Sequence, residues 1–179
     1  MDKTKVYEII KEENKPYGFD PVLLLAIVEQ ESDFDETSSR MENKFKERYL
    51  KHLQTLSTTS AILLSTSYGL MQTLGESLLE DGYMEFFQDW YNEKYDVIRT
   101  GGIPLRGRSQ IGVVKAIDEY MIHQDWQIRF GIKHFKLKYD LAHADQNKTL
   151  LFWNGGGNPN YPIEVMAKYE NLKGSALFS

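Results

Sequence analysis

The stretch Pro21–Ser32, PVLLLAIVEQES, decides the fold, because it is a continuously apolar run that ends in a carboxylic acid. Asp20, just before it, is suited to cap a helix, and proline fits the first helical position, where its missing N–H would have no partner anyway. Residues 22–28 leave almost no polar face. The pattern therefore predicts a helix that is buried on nearly all sides.

Glu31 is the candidate functional residue of this helix. It follows Ile27 and Val28 by one turn, on the apolar side of the helix. We expect its carboxyl at the edge of a core, where partial loss of water disfavours the charged form and raises the pKa, as a general acid requires. For an isolated glutamate, a solvated position at a frayed helix end is the commoner outcome. The assignment therefore depends on the rest of the chain.

Composition bounds the classes of function. The 179 residues, 41% of them hydrophobic, predict one domain with a sizeable core. The net charge is −5 and no long basic run occurs, so nucleic acid is not an expected partner. Cysteine is absent, which excludes disulfides, thiolate catalysis and cysteine-ligated zinc.

Several common site motifs are missing. The four histidines show no His-Glu-x-x-His spacing, so we expect no catalytic metal, and no Gly-x-Ser-x-Gly motif supports a serine hydrolase. The glycine-rich residues 100–112 lack the Gly-Lys-Ser/Thr ending of a phosphate loop. Three arginines lie in or beside this segment: Arg99, Arg106 and Arg108. They could bind anionic groups of a substrate, although a solvated loop is the commoner explanation of such a cluster.

The remaining periodicity predicts the all-α fold class, that is, a mainly helical domain, because no β-alternation persists. We expect a short amphipathic helix around Val6 and Ile10, and helical pieces within residues 33–67. Further helices are predicted over residues 69–81, 83–98, 113–122, 126–141 and 163–172, with a loop over residues 100–112 and a glycine- and asparagine-rich turn, FWNGGGNPNYP, before the last helix.

Three distant stretches form a joint pattern: Glu31-Ser32, SYGLMQ at residues 67–72, and WNGG at residues 153–156 followed by Tyr161. In their order and spacing they resemble the soluble lytic transglycosylases of the lysozyme-like superfamily, especially phage and prophage members. Arg40-Met41-Glu42 and DWQIRFGIKHFKLKY at residues 125–139 are similar to the phage members as well. The resemblance covers roughly residues 19–172.

The resemblance implies a single lysozyme-like domain over residues 1–179, with an active-site cleft and insertions at about residues 33–67 and 84–118. It implies cleavage of the β-1,4 bond between N-acetylmuramic acid and N-acetylglucosamine with formation of a 1,6-anhydro product. Glu31 would be the catalytic acid and base, Tyr161 would support it, and no metal or organic cofactor is implied. The substrate-binding residues would be Ser32, Ser67, Gly69, Leu70, Met71, Gln72, Trp153, Asn154 and Gly155.

The chain departs from the family pattern at two places. Glu31 and Gly69 are farther apart than in the commonest members, so the insertion is expected to reshape one wall of the cleft. Trp153 stands where the family usually has tyrosine, which keeps a stacking surface but removes a hydroxyl. Taken singly, Gln72 as a helix residue, Met71 as core and Asn154 as a turn former are at least as probable as a functional role.

Two other functions are consistent with the same sequence. A muramidase of goose-lysozyme type would share the glutamate and position a water with further acids, for which Asp33, Asp35 and Glu42 are candidates. A non-enzymatic glycan-binding or structural virion protein is the more distant alternative, and the intact Glu31 argues against it.

Partners and location are also expectations. The expected partner is the glycan strand of peptidoglycan, together with other proteins of a phage particle or lysis system. The N-terminal MDKTKVYEIIKEEN does not have the pattern of a signal peptide, and no apolar run reaches membrane-spanning length. We therefore expect no membrane insertion, and action on the cell wall after phage-type or other delivery that does not use a signal peptide.

Overall fold

The computed structural model of the chain describes residues 1–50, 58–79 and 110–175. These residues are mainly helical, as the sequence predicted, with one small three-stranded sheet. The helix predicted over residues 83–98 lies outside the described residues, as do Arg99, Arg106, Arg108 and most of the loop predicted over residues 100–112.

The described elements follow one another along the chain in this order: α1 Lys3–Glu13, α2 Pro21–Ser32, β1 Ser39–Met41, α3 Asn43–Phe45 with a π-helical turn Lys46–Leu50, α4 Thr58–Leu64, β2 Thr66–Tyr68, β3 Thr73–Leu74, α5 Gly75–Leu79, α6 Gln110–Ile122, α7 Gln124–Leu141, α8 Gln146–Trp153 and α9 Tyr161–Lys173. They form two compact units. The first comprises residues 1–36 and 125–179, and the second comprises residues 37–124.

Helix α2 is the centre of the first unit. The Asp20 side chain accepts a hydrogen bond from the backbone N–H of Val22 at 2.8 Å, and Pro21 occupies the first turn, as predicted. All six residues from Leu23 to Val28 are buried, so the prediction of a helix covered on nearly all sides is confirmed. Helices α1 and α9 both pack against it.

The connection between α1 and α2 is closed by a buried asparagine. Asn14 donates through Nδ2 to the Phe19 carbonyl at 2.6 Å and accepts from the Phe19 N–H at 3.1 Å. The Phe19 ring then meets Phe135 and Tyr139 of α7 edge to face, with centroids 5.1 and 5.2 Å apart. One amide side chain therefore sets the turn that brings Phe19 onto α7.

The second unit contains the sheet that periodicity did not predict. Its order is β1-β2-β3 and both pairings are antiparallel, with Arg40 opposite Ser67 and Ser67 opposite Leu74. Strands of two or three residues are too short to show an alternation in the sequence. The expectation of helical pieces between residues 33 and 67 is met by α3, the π-helical turn and α4.

The helix predicted over residues 69–81 is wrong in its first half. Residues 69–72 form the turn between β2 and β3, and the helix begins only at Gly75. The backbone explains the difference, because Gly69 has φ of 73° and Gln72 has φ of 48°, values that a right-handed helix does not use. The Gly69 N–H donates instead to the Ser38 carbonyl at 2.8 Å.

The later helices lie close to their predicted positions. Helix α6 begins at Gln110, so residues 110–112 are helical rather than part of the predicted loop, and α9 begins two residues earlier than predicted. Arg129 of α7 makes a paired ion contact with Glu13 of α1, at 2.5 Å from Nε and 2.8 Å from Nη2. Among the described residues, no helix combines the length and the apolar character needed to cross a bilayer.

Replacing Asn14 with alanine tests the role of its double hydrogen bond. We expect the Asn14→Ala variant to lose about 2 kcal/mol of unfolding free energy, because the Phe19 N–H and carbonyl lose their partners while still partly buried. Urea denaturation measures the loss. Asn171→Ala, at an exposed position of α9, is the matched control and should change stability by less than about 0.5 kcal/mol. Equal losses in the two variants would contradict the role given to Asn14.

Candidate functional site

The Glu31 carboxyl accepts two hydrogen bonds from side chains distant in sequence. Trp153 Nε1 donates to Oε1 at 2.8 Å, and the Tyr161 hydroxyl donates to the same Oε1 at 2.6 Å. Glu31 is half-buried at the C-terminal end of α2. Two of the three sequence stretches in the joint pattern therefore meet at one carboxyl oxygen. The raised pKa expected for Glu31 stays a prediction.

Tyr161 is placed by the packing of α9 on α2. It is the first residue of α9, its side chain is 3% exposed, and Pro162 follows it in the first turn. Its backbone N–H donates to the Asn158 carbonyl at 3.2 Å, so the turn before the helix holds the residue at its backbone as well. An O–H to carboxylate distance of 2.6 Å is in the range of charge-assisted hydrogen bonds.

The turn between α8 and α9 is tied to α2 beside Glu31. Gly155 and Gly156 have φ of 67° and 74°, a left-handed conformation that glycine adopts at little cost. Asn154 Oδ1 accepts from the Asn158 N–H at 2.7 Å, so this side-chain oxygen holds the turn. Asn158 Nδ2 lies 3.1 Å from both oxygens of Glu164, and Gln30 Nε2 donates to Glu164 Oε2 at 2.9 Å.

Trp153 offers more than the stacking surface expected of it. Its indole N–H is a hydrogen-bond donor, and the acceptor is Glu31 itself. Its ring is met edge-on by His134 and Phe135 of α7, with centroids 5.6 and 5.9 Å away. Sequence reasoning missed His134, because nothing in its local pattern separates it from an ordinary helix residue.

The chain turns sharply after Glu31. Ser32 Oγ donates to the Val28 carbonyl at 3.2 Å, one turn back along α2. Asp33 and Phe34 follow with φ of 50° and 64°, and the Asp35 N–H donates to the Ser32 carbonyl at 3.0 Å. Phe34 is buried, whereas Asp33 and Asp35 are exposed. The substrate role of Ser32 stays a prediction.

The predicted sugar-binding residues of the middle stretch belong to the second unit. Ser67 is buried in β2, and the Leu70 and Met71 side chains are completely buried, which favours the core role that the sequence also allowed for Met71. Gln72 Nε2 donates to the carbonyls of Ser38 and Gly69, at 3.2 and 3.0 Å. Substrate contact by this stretch stays a prediction.

Residues 1–50, 58–79 and 110–175 contain no group of three or more histidine, cysteine, aspartate or glutamate side chains that could hold a metal ion. Comparison of the chain with protein-family models, with curated proteins and with solved structures found no match. The functional interpretation therefore depends on the motif resemblance and on the geometry around Glu31.

His134, which packs against the Trp153 ring, is a titratable group whose charge state is restricted by burial. Burial, with a smaller effect of the Lys138 charge, lowers the pKa of His134 from 6.5 to about 4. The folded protein therefore keeps this histidine neutral at pH values where the unfolded chain binds a proton.

We expect His134 to make stability fall as the medium becomes acidic. Between about pH 7 and pH 4 the unfolded chain binds a proton that the folded chain does not, which costs on the order of 3 kcal/mol at pH 4. This loss should be absent from a His134→Gln variant, so the difference in unfolding free energy between the two proteins isolates it. His143→Asn, at an exposed position with left-handed backbone, is the control and should follow the wild type. Parallel curves for wild type and His134→Gln would contradict the prediction.

Proposed function

We propose that this protein is a peptidoglycan lytic transglycosylase in which Glu31 is the general acid and then the general base. The observation that carries the proposal is the hydrogen bond from Tyr161 to Glu31, across 130 positions of sequence. The resemblance assigned one of these residues to acid catalysis and the other to its support, and the two side chains are in contact. The proposal includes the finer fold assignment of a lysozyme-like domain with Glu31 in its glycan-binding cleft.

The first step breaks the glycosidic bond. Protonated Glu31 transfers its proton to the oxygen that links N-acetylmuramic acid to the N-acetylglucosamine leaving group, and the bond from this oxygen to the anomeric carbon breaks. The N-acetyl carbonyl of the muramic residue stabilises the resulting sugar cation. Such substrate assistance is one of the known exceptions to the use of two carboxylates in glycoside cleavage. It lets a single firmly placed acid suffice.

The second step closes the anhydro ring. The Glu31 carboxylate takes the proton of the muramic 6-hydroxyl, and the oxygen attacks the anomeric carbon of the same sugar. The enzyme regains its proton and no water is consumed. Because the bound sugar already holds this hydroxyl near the reacting carbon, the step gains from proximity. Tyr161 holds the carboxyl in one orientation through both steps.

A goose-type muramidase is the second candidate, and the turn after Glu31 favours it. The left-handed backbone at Asp33 and Phe34 reverses the chain within four residues of the acid and leaves the Asp33 and Asp35 side chains exposed. Such a turn removes one objection to a second acid close behind the first in sequence. The two functions differ in the nucleophile, which is water in the muramidase and the 6-hydroxyl in the transglycosylase.

Glu31→Gln should abolish degradation of peptidoglycan, by at least about 1000-fold, while leaving the fold intact. The amide oxygen still accepts the hydrogen bonds of Trp153 and Tyr161, but the group has no acidic proton to give. Turbidity of sacculus suspensions gives the rate, and thermal unfolding checks the fold. Glu29→Gln removes the neighbouring carboxylate, which lies 3.7 Å from Lys3, and should retain wild-type activity. Residual activity of Glu31→Gln within about tenfold of wild type would overturn its assignment as the acid.

The product decides between the two enzyme functions. We expect mass spectrometry of digested peptidoglycan to show 1,6-anhydro-muramoyl ends, lighter by one water than reducing ends. Asp33→Asn should leave rate and product unchanged, because asparagine tolerates the left-handed backbone and only the charge is lost. Mainly reducing ends, together with loss of activity in Asp33→Asn or Asp35→Asn, would identify a muramidase instead.

A further inference from the structure

Both donors to Glu31 reach the same oxygen. Trp153 Nε1 and the Tyr161 hydroxyl lie 2.8 and 2.6 Å from Oε1. Tyr161 is the first residue of α9 and Trp153 is the last residue of α8, so side chains from two different helices converge on one atom. Oε1 therefore receives two side-chain donors.

The two donors differ in what they allow. A phenol hydroxyl either donates or accepts, but an indole N–H only donates. A proton on Oε1 would turn that atom into a hydroxyl oxygen, a poorer acceptor, while the indole still pointed its hydrogen at it. Trp153 therefore disfavours protonation at Oε1 whether Tyr161 donates or accepts.

We propose that Trp153 is a positioning residue that keeps Oε1 of Glu31 a permanent hydrogen-bond acceptor and thereby keeps the transferable proton off this oxygen. This inference rests on the proposed function, because it concerns the proton exchange that this function requires of Glu31. When Glu31 gives its proton to the glycosidic oxygen, the new negative charge is shared by Oε1. There it meets two donors that are already aligned, so no group has to reorient at the moment of reaction.

The surroundings of Trp153 fit a positioning role. The indole packs edge-on against His134 and Phe135, which restricts rotation of the ring. Asn154, the next residue, bonds to the Asn158 N–H and fixes the chain just after α8. Packing thus restricts the ring and the turn fixes the backbone that follows it, as a hydrogen-bond donor of fixed direction requires.

Other titratable groups on the surrounding elements have to be separated from Glu31 in any pH experiment. They are Glu29 paired with Lys3 of α1, Glu164 of α9 bound by Gln30 and Asn158, Asp33 and Asp35 in the turn after α2, and His134 of α7 against the Trp153 ring. His134 is the most serious, because its own protonation would alter the environment of the indole. A His134→Gln background removes it.

The indole signal of Trp153 tests the hydrogen bond without reference to activity. The chain has three tryptophans, so three indole N–H signals are expected in a proton–nitrogen NMR spectrum, and Trp153→Phe assigns the one that matters. We expect this signal to titrate with the same midpoint as the ¹³C-labelled Glu31 carboxyl and to stay downfield at both ends of the titration. The response should persist in His134→Gln and disappear in Glu31→Gln, which leaves the tryptophan untouched.

Removing the donor should shift the titration of the acid. Without the N–H of Trp153 the charged carboxylate is less stabilised, so we expect the Glu31 midpoint to rise by about half a unit to one unit in Trp153→Phe. The falling, alkaline limb of the rate against pH should move by the same amount, with a rate loss of roughly 10- to 100-fold. Tyr161→Phe removes the other donor and should shift the midpoint in the same direction. Phe152→Leu, at the exposed neighbouring aromatic, should leave it unchanged.

Failure of the inference and failure of the proposed function give different results. An indole signal that ignores Glu31, or a midpoint unchanged in Trp153→Phe, would overturn the inference even if the protein degrades peptidoglycan. A large upfield jump of the indole signal on acidification would place the proton on Oε1 and would overturn it as well. Coupled titration in a protein that leaves peptidoglycan intact would overturn the proposed function and the catalytic purpose of the pairing, while the hydrogen bond itself would stand.

Discussion

Every side chain of helix α2 from Leu23 to Val28 is buried, and the need to cover all of them organises the first unit. Each of these side chains gains about 1.5–3 kcal/mol by burial, except the small Ala26, so neighbouring helices have to cover the whole circumference. Helices α1 and α9 both pack against α2, and the contact with α9 brings Tyr161 to Glu31. The same packing that stabilises the fold therefore places the hydroxyl on the carboxyl.

The sequence predicted those elements whose signals are local and strong. The cap at Asp20, the apolar length of α2 and the late helices all follow from neighbouring residues, and the structure has them within a few positions. Tyr161 was singled out by motif resemblance, but its contact with Glu31 arises from helix packing over 130 positions. The sequence motif identified Tyr161, and the tertiary structure brings its hydroxyl to Glu31.

The features that escaped prediction depend on long-range pairing or on backbone shape. The sheet pairs Arg40 with Ser67 through strands too short to alternate, and the turn at Gly69 uses φ values that a helical pattern does not reveal. The donor at Trp153 escaped for another reason, since an indole suggests stacking until its N–H is seen to face a carboxylate. In each case the sequence shows which residues are present but not how a strand, a turn or an N–H group is oriented.

The position of Glu31 at the end of α2 sets two electrostatic effects against each other. The C-terminal end of a helix carries partial negative charge and disfavours a carboxylate by about 0.3–1 kcal/mol. Hydrogen bonds from Trp153 and Tyr161 favour the carboxylate, and bonds to charged groups contribute about 1.5–3 kcal/mol each. The hydrogen bonds and the helix end therefore act on this carboxyl in opposite directions. Under the proposed function Glu31 has to hold its proton until the glycan binds, and the loss of water when a sugar covers this half-buried carboxyl would supply proton affinity that opposes the two hydrogen bonds.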